Sequence, residues 1–225
     1  MKFRGRMNIT KQLKIKHALL SVITLVAISI VSACELIKPV GSMRAQSLNA
    51  DPVAIDAKYS TAFYAHGGAL ESSFILSDVP FEILLKSKVS NGHILHVQML
   101  WVPKPGSTPM DSSATNVSIR YIIMSDGELG LYTGAGFALP QDKMGSDLVT
   151  IDLRSASLAL TESTSGFVDL LTPASLTGNF TATLNDQRTK QMRSALRRII
   201  NSALPRSRNA KADDKNVYAL QAEPG

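Results

Sequence analysis

Residues 117–137 read VSIRYIIMSDGELGLYTGAGF. Val117, Ile119, Tyr121 and Ile123 recur at every second position, the period that sends successive side chains to opposite faces of a strand. Asp126-Gly127 then supplies two residues that tolerate the positive φ of a tight turn, and a second β-rich run follows. The stretch is predicted to form a β-hairpin. The same pattern extends outward on both sides. PFEILLKSKVS (80–90), Asn91-Gly92 and HILHVQMLWV (93–102) suggest another hairpin. In its second strand Leu95, Val97, Met99 and Trp101 share the face expected to be core, and Ile94, His96, Gln98 and Leu100 share the other.

Further strands are expected at LVTIDL (148–153), SLALTES (157–163), GFVDLL (166–171) and GNFTATL (178–184), between clusters of Gly, Pro, Asn, Asp and Ser. Roughly eight short strands without interleaved helices imply a mainly β fold, an antiparallel sandwich or a barrel-like sheet, and leave the two closures open. One amphipathic helix is predicted over 186–204, with Asn185 or Asp186 as N-cap and Pro205 as its stop. Met192, Ala195, Leu196, Ile199 and Ala203 form its apolar face, opposite Lys190, Arg193 and Arg197. Residues 205–225 are polar and aperiodic and read as a disordered tail.

The chain has 225 residues, 44% of them hydrophobic, which suits one well-buried domain, and a formal net charge of +6. That charge does not imply a nucleic-acid partner. Lys2, Arg4, Arg6, Lys11, Lys14 and Lys16 lie in an acid-free segment ending at residue 33, and without them basic and acidic residues balance. The remaining basic charge gathers near the C-terminus. A single cysteine, Cys34, excludes an intramolecular disulfide, so stability rests on the core.

Behind the basic segment, ALLSVITLVAISIV runs from Ala18 to Val31, and the small residues Ser32 and Ala33 precede Cys34. This is the order of a secretory signal. The 17 uncharged residues from Ala18 to Cys34 would span roughly 25 Å as a helix, short of a hydrocarbon core of about 30 Å, so a single-pass anchor stays an alternative. Val31-Ser32-Ala33-Cys34 resembles the lipobox of bacterial lipoproteins. The resemblance covers about the first 34 residues. It implies that residues 1–33 are a signal peptide, that the Cys34 thiol is diacylglycerylated, and that cleavage leaves Cys34 as the acylated N-terminus. Glu35, where the family's inner-membrane retention signal has Asp, points toward an outer membrane. Residues 34–60 would then be the attachment cysteine and its tether, and 61–204 the folded domain.

No catalytic signature emerges. His93 and His96 sit three apart on a strand and face opposite ways, which argues against a shared metal. Tyr64-Ala65-His66-Gly67-Gly68 reads as a loop before the first strand, since the esterase elbow that would accompany His-Gly-Gly is missing. Gly127, Gly130, Gly134 and Gly136 lack phosphate-loop spacing and mark a bulge or bend. Asp126, Glu128, Asp142, Asp147 and Asp152 are expected on solvated turns. Lys190, Arg193, Arg197 and Arg198 are the candidate contacts for an anionic surface. The expectation is an exported, membrane-anchored module that binds or builds rather than catalyses, without cofactor, metal or nucleic acid, partnered by membrane lipid and an envelope protein or ligand. Two alternatives remain: an anchored hydrolase whose carboxylates meet in the fold, and a peripheral module using the basic helix.

Overall fold

The hairpin at 117–137 forms as its sequence requires. In a computed structural model, which describes residues 40–67, 71–86, 89–103 and 114–204, strands β6 (Val117–Ser125) and β7 (Glu128–Pro140) pair antiparallel around Asp126-Gly127. Asp126 and Gly127 both take positive φ, 52° and 87°, the left-handed pair that a two-residue turn needs. The other strands are β1 (Gly41–Ser47), β2 (Ala54–Tyr59), β3 (Thr61–His66), β4 (Ser72–Ser77), β5 (Gly92–Met99), β8 (Leu148–Ser163) and β9 (Ala174–Leu184). Two helices, α1 (Phe81–Lys86) and α2 (Asp186–Ala203), complete the described elements.

The nine strands form one sheet in the order β2-β1-β9-β3-β4-β5-β6-β7-β8, and β9 also pairs with β8. The pairings therefore run in a ring from β3 through β8 to β9 and back. All are antiparallel except the short β3–β9 contact at Phe63↔Thr183 and Tyr64↔Leu184. Only Ser60 separates β2 from β3, so one nearly continuous segment leaves β1 and goes on to pair with β4.

Two apolar clusters lie on the two faces of this sheet. One takes the alternating residues Val117, Ile119, Tyr121 and Ile123 of β6 and Leu95, Val97 and Met99 of β5, packed with Phe74, Phe180, Tyr59, Tyr64 and Tyr132. Tyr132 donates from its hydroxyl to Asp169 at 2.8 Å, and Tyr64 donates to the Ser146 carbonyl. The other cluster joins Ile75, Ile94, Ile122, Met124, Leu129 and Leu131 to Met192, Ala195, Leu196 and Ile199 of α2. The helix begins where expected: the Asn185 side chain accepts from Arg188 N–H at 2.9 Å. The Arg188 guanidinium lies 5.0 Å from the Phe63 ring centre and 5.2 Å from that of Phe81, which fixes the first turn of α2 against β3 and α1.

Several expectations are corrected. Phe81–Lys86 is helical, not the first strand of an Asn-Gly hairpin: Phe81, Leu84 and Leu85 recur at helical spacing, and Ile83 and Leu84 donate to the Pro80 carbonyl. Asn91 serves elsewhere, accepting from Asp126 N–H at 2.9 Å. Residues 41–47 and 54–59, expected within the tether, form β1 and β2, and Tyr64–His66 belongs to β3 rather than to a loop. The runs at 148–153 and 157–163 join as one 16-residue strand through a bulge after Leu153. Residues 166–171 form no strand; Asp169 accepts instead from Leu171 and Thr172 N–H and folds the segment as a turn. The signal segment, Cys34 and the tail at 205–225 lie outside the described residues.

Asn116 secures the start of β6. Fully buried, it donates from Nδ2 to the Ala138 carbonyl and accepts from Ala138 N–H, both at 2.8 Å. Asn116→Ala strands both backbone groups away from water, and an unpaired buried group costs at least about 1 kcal/mol. The expected loss is about 2 kcal/mol, read as a lower urea midpoint with unchanged slope. An unchanged midpoint would show that Ala138 finds other partners.

Candidate cationic cleft between the C-terminal helix and the sheet

The face of the sheet beneath α2 is apolar at one end and polar at the other. Strand register explains the polar end. His96 of β5 is partnered with Arg120 of β6, and Arg120 with Thr133 of β7, so three polar side chains stand in one row across three strands. Each is on the face opposite the tyrosine cluster, because alternation that sends Val97, Tyr121 and Tyr132 inward sends their neighbours out. Above this row α2 continues past its apolar stripe and contributes Arg193 and Arg197, one turn apart on the same side.

The result is a cleft of about 500 Å³. Leu131, Leu196 and Ile200 give it an apolar wall. Glu162 and Thr161 from β8, with Asn201 from α2, add polar groups at its rim. Arg120, Arg193 and Arg197 make no ion pair with a carboxylate among the described residues, unlike Arg44, His93 and Arg154, which pair with Asp56, Asp78 and Asp152. Three guanidiniums thus share the cleft with one carboxylate.

His96 is the buried polar member of the site, 9% exposed. Its Nε2 lies 2.9 Å from Ser73 Oγ, a diagonal neighbour on β4, which holds the ring and leaves Nδ1 as its remaining polar atom. Burial, reinforced by the charges of Arg193 and Arg120, lowers its pKa from 6.5 to about 4. At neutral pH the ring is therefore neutral and offers one donor or one acceptor to the cleft.

The four basic residues singled out in the sequence have different placements. Arg193 and Arg197 line the cleft. Arg198 donates from Nη2 to the Leu85 carbonyl at 2.9 Å and ties α2 to α1. Lys190 is exposed outside the cleft, and its carbonyl accepts from the Ser194 hydroxyl. Arg120 was not among the candidates. Its signal was available, an arginine on the outward face of a strand whose other outward residues include Ile122 and Met124, but only tertiary packing brings α2 over it.

His93 and His96 do face opposite ways: His93 Nδ1 is 2.7 Å from Asp78 and its ring stacks on Tyr121, away from α2. Among the described residues no group of three or more His, Cys, Asp or Glu converges as a metal site would require. Of the five carboxylates expected on turns, Asp152 lies within β8 instead, opposite Asn179, and three of the five have partners for their side chains. Glu128 accepts from the Thr164 hydroxyl at 2.5 Å and from Gly166 N–H at 3.0 Å, Asp142 accepts from Thr150 N–H at 2.8 Å, and Asp152 pairs with Arg154. No described helix is long and apolar enough to cross a membrane. No protein-family model, curated protein or solved structure matches the chain, so the meaning of the cleft rests on its own chemistry.

Proposed function

We propose that the protein is an exported, lipid-anchored bacterial lipoprotein whose barrel-like domain is a non-enzymatic binding module, with the cleft beneath α2 as its binding site. The observation that carries the binding role is the content of the cleft. It offers guanidiniums, amide and hydroxyl groups beside an apolar wall, and its single carboxylate, Glu162, has no second acid facing it with which to divide acid and base roles. A volume of about 500 Å³ is in the usual range for small-molecule sites. The ring of strand pairings supports the barrel-like closure over a sandwich.

Attachment rests on the resemblance at Val31-Ser32-Ala33-Cys34 and on chain counting. Two acyl chains hold a protein stably, whereas one gives marginal binding. Because β1 starts at Gly41, the domain begins seven residues beyond Cys34, at most about 25 Å of chain. The cleft would thus work close to a membrane, and Glu35 favours the outer one.

Intact-mass measurement of the membrane fraction tests the attachment. The expected mass is that of a chain beginning at Cys34 and carrying acyl groups. An unmodified chain that retains residues 1–33 would overturn the lipoprotein reading and leave the single-pass anchor.

A further inference from the structure

From the cleft's charge and lining we infer that its ligand is a phosphorylated, hydroxyl-bearing small molecule or headgroup, with the phosphate held by Arg120, Arg193 and Arg197 and the hydroxyls by Glu162 and Asn201. This deepens the binding role proposed above and rests on it. Three guanidiniums against one carboxylate leave a surplus of two positive charges among the cleft side chains, and these arginines have no carboxylate partner among the described residues. A surplus of two matches a phosphate dianion better than a single carboxylate. Guanidinium forks also fit phosphate oxygens geometrically, making charge-assisted bonds of roughly twice ordinary strength.

The fold presents these groups from two directions. Arg120 rises from the sheet and Arg193 and Arg197 descend from α2, so an oxyanion between them is held from both sides. A flat cationic surface would not do this. His96 contributes without adding charge: held by Ser73 and neutral at neutral pH, it can give an N–H to a phosphate oxygen.

Glu162 sets the remainder of the ligand. A carboxylate repels a second anionic group but accepts strongly from hydroxyls. Thr133, Thr161 and Asn201 offer further hydrogen bonds, and Leu131, Leu196 and Ile200 can cover carbon. Inorganic phosphate would leave that part of the cleft unused. A glycerol or sugar phosphate fills both parts. A free phosphomonoester and a phospholipid headgroup share the phosphate oxygens and the hydroxyls, but the monoester carries two negative charges and the headgroup, a diester, only one, so the charge balance favours the free monoester.

Titration calorimetry of the full chain in a neutral detergent distinguishes these sources, with glycerol 3-phosphate as the free monoester and dihexanoylphosphatidylglycerol as the headgroup. Saturable binding is expected in at least one arm, and the tighter arm identifies the source. Arg120→Gln and Arg193→Gln should each weaken binding about tenfold or more, while Lys190→Gln, outside the cleft, leaves it unchanged. Glu162→Gln should shrink the preference for glycerol 3-phosphate over inorganic phosphate.

The absence of saturable binding up to about 10 mM in both arms, or equal losses from Lys190→Gln and Arg120→Gln, would overturn the assignment. A preference unaltered by Glu162→Gln would overturn its hydroxyl half. Phosphorus NMR of the recovered probe separates this inference from the reading beneath it. Release of phosphate that Arg120→Gln slows supports the ligand class and overturns the non-enzymatic role.

Discussion

Gly134→Ala is expected to lower stability by about 3 kcal/mol, the upper end of what overpacking costs when the neighbour cannot move aside. A Cβ at this position would lie 1.8 Å from the Ser157 carbonyl oxygen and 2.9 Å from its carbon, both backbone atoms of the adjacent strand β8. Gly136 repeats the situation two residues on, with Ser155 O at 2.2 Å. β7 and β8 are the longest strands, and their register shifts at Leu131/Tyr132 and Phe137/Ala138 bracket the two glycines. Long paired strands that turn a corner need small residues on the concave side, and glycine and bulges supply the bend. A methyl group would push β8 away and disturb its pairing with β9.

Gly127→Asn provides the control. A Cβ there meets nothing within 4 Å, and Asn accepts the left-handed backbone of this turn, so the expected cost is less than about 1 kcal/mol. Thermal or urea unfolding of both variants measures the contrast. Equal stability of Gly134→Ala and the parent chain would mean that the corner has room to relax.

The second large effect is a loss of stability on acidification, assigned to His96. In the unfolded chain its pKa returns to about 6.5, whereas in the fold burial first, then Arg193 and Arg120, lowers it to about 4. Between those values the unfolded state binds more protons, so stability rises with pH and is lost as pH falls. Above about pH 6.5 the ring is neutral in both states and the contribution is complete. By pH 4 the loss attributable to this one group reaches about 3 kcal/mol.

Carboxylates titrate in part of the same window, so the informative quantity is a difference between proteins. His96→Gln retains an amide that can meet Ser73 Oγ but cannot take up the proton. Urea unfolding at pH 7 and pH 4 should give the parent a steeper decline than the variant, by about 3 kcal/mol. Parallel declines would show that His96 is hydrated enough to titrate normally.

The strands legible from sequence are those in which turn chemistry and apolar alternation agree. β6 and β7 have both, around Asp126-Gly127, and α2 has a cap at Asn185 and an apolar stripe. β1 was not legible because its inward residues, Met43, Ala45 and Ser47, include only one large apolar side chain, and the narrow space against β9 accepts small ones. α1 has six residues, too few for a helical period to outweigh a β-branched and apolar composition. Both Arg193 and Arg197 of α2 were visible in the sequence, as a basic face opposite the apolar stripe. What was not visible is that Arg193 and Arg197 stand over a strand arginine, because no local pattern encodes the angle at which a helix crosses a sheet.

The ring of pairings also has a consequence in time. β9, the last of the described strands, partners β1, β3 and β8, with Gly41 opposite Phe180 and Phe63 opposite Thr183. Contacts between chain ends raise contact order and slow folding, because the intervening loop must close before it is rewarded. A chain emerging from its N-terminus has no means of sealing the sheet until residues beyond Ala174 are free. If the chain is exported as proposed, late closure keeps it slack for passage through the membrane, and folding becomes the step that follows arrival.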